Sequence, residues 1–445
     1  MKIYAIFVVE ISKNNLDTII KSMSTLPPSS PQTRSNRKKK LEGPKNSQYD
    51  HYTHEEKQYY KKLKKNQQER IADMEERIKE LNEDLIPLRF RIMQSEIDEK
   101  ICAIAIQKLE HLYSLCPSSG EYHKILSWIE TLCKIPFNRY KALPVQRGSD
   151  QDMIKSFIQE MRASMDENVY GHVKAKEHII RLLAQWISNP SSKGLVIGIQ
   201  GSMGTGKTTL IKQAICETLN LPFAFVPLGG ASDASYLVGH SYTFEGSKWG
   251  KIVDVLMQCK CMNPVLFFDE LDKVSTGRHG EEIINILIHL TDASQNEHFH
   301  DKYFDGLNFD LSRSLIIFSY NHEENINPIL RDRMVCIRTD GYSAKDKVAI
   351  AQSHVIPTLH SEFGFPQKSL IFTDDVLLTI ISKVEEEEGI RNFRRALHDI
   401  FSNVNFQNLT SENTVFPVTV SDKDVKKFVS SSDKKNTLKH FSMYS

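Results

Sequence analysis

The sequence predicts an α/β domain built on a mostly parallel sheet, preceded by a helical arm and followed by a small helical domain. Three observations carry this. Short apolar runs at 194–200, 223–228, 265–268 and 314–319 alternate with amphipathic helical stretches after Asp150, as strands joined by crossover helices do. The first run leads into Gly201, Ser202, Met203, Gly204, Thr205, Gly206, Lys207 and Thr208, a G-x-x-x-x-G-K-T loop that opens a helix. The run 265–268 ends in two adjacent carboxylates, Asp269 and Glu270.

Taken in order, residues 1–50 read as a short N-terminal segment and a linker. The apolar run at 3–9 is broken by Glu10 and has no small-residue cleavage site after it. It is too short to span a membrane and reads as a strand. The Pro/Ser-rich stretch after it carries Arg37, Lys38, Lys39 and Lys40, which fit a solvated linker, a nuclear address or a phosphate-binding patch. Residues 51–148 read as a helical, coiled-coil-like arm. Ile71, Met74, Ile78, Leu81 and Leu85 recur at alternating spacings of three and four, and Pro87 breaks or kinks the helix before Leu88 and Ile92 resume the seam. A further helix follows Ser119, which caps it, carries Tyr122, Ile125, Trp128, Ile129 and Leu132, and stops at Pro136. Residues 149–341 form the α/β nucleotide-binding domain, 342–410 a small all-helical domain, and 411–445 a connector and tail.

Composition limits the function. Of 445 residues, 57 are Lys or Arg and 56 Asp or Glu, so no global field draws the chain to nucleic acid or to an anionic membrane. A local basic groove stays open. Seven cysteines without a C-x-x-C pair read as free thiols in a reducing compartment, hence a cytoplasmic protein, with a nuclear address available in Arg37 to Lys40. His298 and His300 near Asp301 are too few ligands for a metal site and read as a surface loop. The run of four Glu at 385–388 reads as the end of a helix in the small helical domain, presenting a solvated face.

The chemistry lies in the apolar runs' C-terminal ends. Glycines let backbone N–H groups close around phosphates, Lys207 reaches the β- and γ-phosphates, and the Thr208 hydroxyl ligates Mg²⁺. Asp269 holds Mg²⁺, and Glu270 polarises the attacking water as general base. Asn321, just past the run 314–319, orients that water. Arg331 and Arg333 stand where an Arg reaches a neighbouring subunit's phosphate. The expected cofactors are ATP and Mg²⁺.

Several ordered stretches then resemble the AAA+ ATPase portion of the Lon protease family over 57–429. They are LCPSSGEY at 115–122, DENVYGHVKAK at 166–176, LGGASD at 228–233 with GH at 239–240, DASQN at 292–296, DKY at 301–303, FDLS at 309–312 and GIRNFR at 389–394. The resemblance implies an AAA+ P-loop NTPase core with a helical lid. It implies that Arg333 is a finger acting in trans, that Arg391 is a lid sensor contacting the γ-phosphate in cis, and that Tyr170 and Gly171 lie beside the adenine. It also implies a hexameric ring of this chain. Tyr242, Thr243, Phe244, Glu245 and Gly246 match the substrate-gripping pore loop, with Phe244 in the aromatic position and Glu245 where the family has an apolar residue. VTVSDKDVKKF at 418–428 resembles the connector to the peptidase domain, and the chain stops at Ser445, so no peptidase activity of its own is expected.

The leading expectation is an ATP-driven ring motor that unfolds, remodels or translocates protein substrates without cutting them. The alternatives are the ATPase subunit of a protease whose peptidase is a separate chain, a nucleic-acid-directed ATPase, and a scaffold with a vestigial site.

Overall fold

The computed structural model describes residues 52–82, 86–146, 148–189, 195–275, 277–410 and 416–428. The readings made for the 3–9 run, the linker, Arg37 to Lys40, Leu85 and the tail beyond 428 lie outside the described residues. So do the side chains of Ile78 and Leu81. Among the described residues no helix is long and apolar enough to cross a membrane.

The chain divides into two units after Asp84. In the first, helix His54–Lys62 begins with a capping box. The Glu56 N–H donates to Thr53 Oγ1 at 3.3 Å, and the Thr53 N–H donates to Glu56 Oε2 at 2.7 Å. Helix Lys65–Asn82 bears Ile71 and Met74 of that seam, with Met74 exposed. Gln68 Nε2 donates to the Tyr60 carbonyl at 2.8 Å across the break between the two helices.

In the second unit, five parallel strands stand in the order β2-β3-β4-β1-β5: β1 Val196–Gln200, β2 Phe223–Pro227, β3 Val265–Asp269, β4 Leu315–Tyr320 and β5 Val335–Arg338. Val265 pairs with Leu315, Val196 with Ile316, and Ile197 with Val335. β5, short and half-polar, was not among the expected runs. Side chains alternate between two cores, as the two-residue strand period requires. Leu266, Phe268, Ile316 and Phe318 face one core, and Val265, Phe267, Leu315 and Ile317 face the other. On the second face lie helices Gln151–Asn168 and Val173–Ser188.

The first face corrects the arm. Helices Leu88–Gln94, Glu99–Ser114 and Gly120–Leu132 supply Ile92, Leu109, Trp128 and Ile129 to the same core as the sheet, so these helices belong to the second unit and the boundary falls after 84 rather than at 148. The expected cap is present: Ser119 Oγ accepts the Tyr122 N–H at 3.2 Å.

The lid is also larger than expected. Its core joins Leu359, Leu377, Phe393 and Phe401 to Val420 and Val425, and β6 Leu370–Ile371 pairs in parallel with β7 Val418–Thr419. The segment read as connector, 418–428, therefore packs into the lid. The run 385–388 does not end a helix, because Asp374–Lys383 stops before it. Glu387 instead accepts the Asn392 and Phe393 N–H groups, both at 2.9 Å, at the start of helix Arg391–Thr410.

Candidate nucleotide site

β1 ends at Gln200 and the chain turns through 201–208 into a helical run. That run starts at Lys207–Thr209, passes through a π-helical stretch, Leu210–Cys216, and ends at Glu217–Leu219. Gly204 and Gly206 hold φ of 80° and 88°, the left-handed region that an L side chain rarely adopts. With no Cβ at either position the backbone forms an open cradle.

Lys207 Nζ folds back over that cradle. It donates to the Ser202 carbonyl at 3.0 Å, to Asn321 Oδ1 at 3.0 Å and to the Gly201 carbonyl. Burial lowers its pKa, and Asp269 and Asp272 offset part of that. An ammonium held by carbonyl dipoles in a desolvated place gains from a nearby phosphate, so the donor set fits a nucleotide's β- and γ-oxygens. Asp269, at the end of β3, accepts from the Ser319 hydroxyl on β4. Glu270 stands at φ 60°, strained for a non-glycine residue, and its carboxylate pairs with Lys273. Gly229 lies so close that a Cβ there would overlap Glu270 Oε2. Met203 to Thr208, Asp269, Glu270, Asn321 and Arg391 line one cavity of about 280 Å³. The exposed Thr208 hydroxyl and the Asp269 carboxylate are hard oxygen donors that suit magnesium.

A second cavity of about 450 Å³ adjoins it, sharing Gly204, Gly206 and Thr209, and Tyr170 lines it. Gly171, at φ 70°, places its missing Cβ 3.8 Å from the Tyr342 ring. Tyr342 Oη donates to the Thr205 carbonyl at 2.9 Å and to the Tyr170 carbonyl at 3.3 Å, and His172 Nε2 lies 3.1 Å from the Thr205 carbonyl. Burial holds the His172 pKa below the ordinary imidazole range.

The lid closes directly on the loop. The Ile390 N–H donates to the Gly204 carbonyl at 3.3 Å, Arg391 Nη1 lies 3.3 Å from Met203 Sδ, and Ser202 Oγ donates to Glu388.

Other expected residues lie elsewhere. Arg333 is ion-paired with Asp292 at 2.7 Å and does not line either cavity. The Ser294 hydroxyl, then Arg333, hold the Asp292 carboxyl well below the usual carboxylate range. Phe244 and Glu245 are exposed on a loop apart from both cavities. His300 Nδ1 lies 3.3 Å from the Leu307 carbonyl and His298 Nδ1 is 3.4 Å from Asn308 Nδ2. Asp301 is buried and accepts the Gly250 and Tyr303 N–H groups, both at 2.8 Å. All seven cysteines are free.

A parallel sheet of this strand order, with a phosphate-type loop after β1, carboxylates at the end of β3 and a lid on the loop, defines a P-loop ATPase of the AAA class. Residues 197–340 match the model of the ATPase family associated with various cellular activities (AAA). A Lon protease homolog of Acanthamoeba polyphaga mimivirus is 42% identical over 252 residues, 56% of this chain and 24% of that protein. The Lon protease of Desulfosudis oleivorans is 32% identical over 342 residues, 77% of this chain and 40% of that protein. The peroxisomal Lon protease homolog 2 of Caenorhabditis briggsae is 29% identical over 332 residues, 75% of this chain and 40% of that protein. The chain is a Lon-like AAA+ ATPase, and the match covers only the ATPase portion of these relatives, less than half their length.

Ser319, Tyr342, His172, Lys273 and Glu388 were missed from sequence. Each is a common polar residue without motif spacing; Lys273 follows Glu270 by one turn, and only the packing of distant segments brings the other four to the site.

Proposed function

We propose that the cavity binds ATP with magnesium, that the residues around it hydrolyse the β–γ phosphoanhydride, and that the resulting lid movement drives a ring of this chain to unfold or translocate polypeptide. The observation that carries the reading is the bond from Lys207 Nζ to Asn321 Oδ1 inside a cavity that Asp269, Glu270 and Arg391 share. When bound between Thr208 and Asp269, magnesium offsets charge on the phosphate oxygens. Lys207 exchanges its carbonyl partners for phosphate oxygens. Asn321 Oδ1, released from Lys207, accepts a hydrogen bond from the water and aligns it. Glu270, freed from Lys273, takes that water's proton on its carboxylate. Arg391 stabilises the charge from the lid side. Arg333 leaves Asp292 to complete a neighbour's site in a closed ring. The tip Phe244, 66% exposed, is available to grip a chain.

The test pairs two variants. Lys207→Ala abolishes nucleotide binding, whereas Glu270→Gln retains bound ATP and loses hydrolysis. Parental hydrolysis by Glu270→Gln refutes the assignment of the base. For the motor half, loss of fluorescence from a folded, tagged reporter in the presence of a trap for unfolded chains is compared between parent and Phe244→Ala. Loss that Phe244→Ala leaves unchanged refutes gripping by this loop. Peptide products from the purified chain place cleavage as well as threading on it.

A further inference from the structure

The loop from His240 to Trp249 is anchored by helices that come more than a hundred residues earlier. From helix Glu99–Ser114, Lys108 places its ammonium 4.2 Å from the Tyr242 ring centroid and 4.8 Å from that of Trp128, and donates to Tyr242 Oη at 3.0 Å. From helix Gly120–Leu132, Lys124 Nζ donates to the Thr243 carbonyl at 2.8 Å, immediately before Phe244. Trp128 is buried, and its Nε1 donates to the Tyr303 carbonyl at 3.1 Å. The Tyr303 ring meets Trp249 edge-on at 5.7 Å, so the far end of the loop rests on the same aromatic group. The base is pinched. A Cβ on Gly239 would lie 2.7 Å from both Gly250 N and the Lys248 carbonyl oxygen, and Asp301 accepts the Gly250 N–H. His240 at its start, Thr243, Phe244, Glu245 and Gly246 at the tip, and Lys248 beyond it are exposed.

We propose that Lys108 and Lys124 are positioning residues that set the direction of Phe244, making helices 99–114 and 120–132 the mount of the polypeptide-gripping loop. The inference rests on the reading of Phe244 given above. Lys108 lies over two aromatic faces, so its ammonium fixes the start of the loop at a place where water is partly excluded. Lys124 satisfies the carbonyl whose orientation sets the peptide plane entering Phe244. Without these two ammonium groups the tip keeps its local turn, in which the Phe244 N–H donates to the Ser241 carbonyl at 3.1 Å, and its pinched base, and the aromatic side chain samples more directions.

The test uses the full chain with Lys108→Met and Lys124→Met combined, which keeps the apolar stems and removes both charges. Two readouts are taken: amide hydrogen exchange of 240–249, and the concentration of unfolded casein that half-maximally stimulates ATP hydrolysis. Exchange in the loop is expected to rise about tenfold while that of β1 to β5 stays parental. The half-maximal casein concentration is expected to rise severalfold with the maximal stimulated rate retained, and Lys108→Arg, which keeps a cation over the rings, is expected to stay near parent. Parental exchange in the loop overturns the proposal. So does raised exchange with an unchanged half-maximal concentration. A parent that casein does not stimulate refutes the gripping reading instead, and the exchange result then decides the mount alone.

Discussion

Gly389→Ala isolates the contact between lid and loop. Gly389 does not occupy the left-handed region, so alanine can adopt its backbone and the cost is one of space. A Cβ there would stand 2.8 Å from Gly204 C and 3.0 Å from Gly204 Cα, and would overlap the Met203 carbonyl oxygen. These are backbone atoms that cannot rotate aside. Relief requires the lid segment to back away by about 1 Å, enough to break the 3.3 Å bond from Ile390 N–H to the Gly204 carbonyl and to draw Arg391 from the cavity. A displacement of that size in a positioning group costs on the order of 10²-fold in turnover. The lid core around Phe393 and Phe401 is not touched, so stability should change little. Steady-state ATPase measurements, nucleotide binding and thermal melts on Gly389→Ala check this. Gly120→Ala serves as control, since nothing lies within 4 Å of its Cβ position. We expect turnover to fall by about two orders of magnitude, with a smaller loss of nucleotide affinity and a melt near parent. Parental turnover would show that hydrolysis does not use the closed lid contact and would refute the reasoning.

Three further outcomes follow from named contacts. Burial pushes the Asp301 carboxyl up from 3.8 to about 6. A carboxyl raised in the folded state favours folding while protonated, so its contribution is present below about pH 4 and lost as pH rises to about 6. The loss is about 3 kcal/mol. The difference in unfolding free energy between parent and Asp301→Asn should carry that step, and a flat difference across this window would contradict it. Glu387→Ala removes the acceptor for two N–H groups at the start of helix Arg391–Thr410 and should destabilise the lid by about 1–2 kcal/mol, with Glu387→Gln between the two, as read by denaturant melts. Arg333→Ala should bind nucleotide normally yet hydrolyse 10³-fold or more slowly, a loss on the order of that of other trans fingers. Mixing it with Lys207→Ala subunits should recover activity if the finger acts across an interface.

The candidate nucleotide cavity was legible because the proposed chemistry depends on local backbone geometry. A loop that must wrap phosphate needs Gly204 and Gly206 at fixed offsets from Lys207, and carboxylates must follow a buried strand such as β3. Such constraints are written in consecutive residues. The extents of arm and lid were less legible. Ile92 and Trp128 repeat with the period of any amphipathic helix, and that period does not say which surface covers them. The tail segment with Val420 and Val425 has too few apolar residues to announce the lid core it completes.

The amino-acid sequence by itself determined the strand–loop–helix of the Gly-rich loop, the alternation of the sheet's main strands with helices, and the residue types proposed for hydrolysis. These follow from short-range spacing and from the two-residue alternation of buried strands. Tertiary structure alone decided that Asn321 meets Lys207, that Ser319 holds Asp269, that Glu387 caps the helix bearing Arg391, and that Lys108 and Lys124 mount the loop of Phe244. Each of those arrangements rests on one or two hydrogen bonds or a cation contact, and all but the Glu387 cap join residues distant in the chain. Nothing in the local spacing of either partner encodes the other, and it is the packing of two apolar cores on one sheet that brings them within reach.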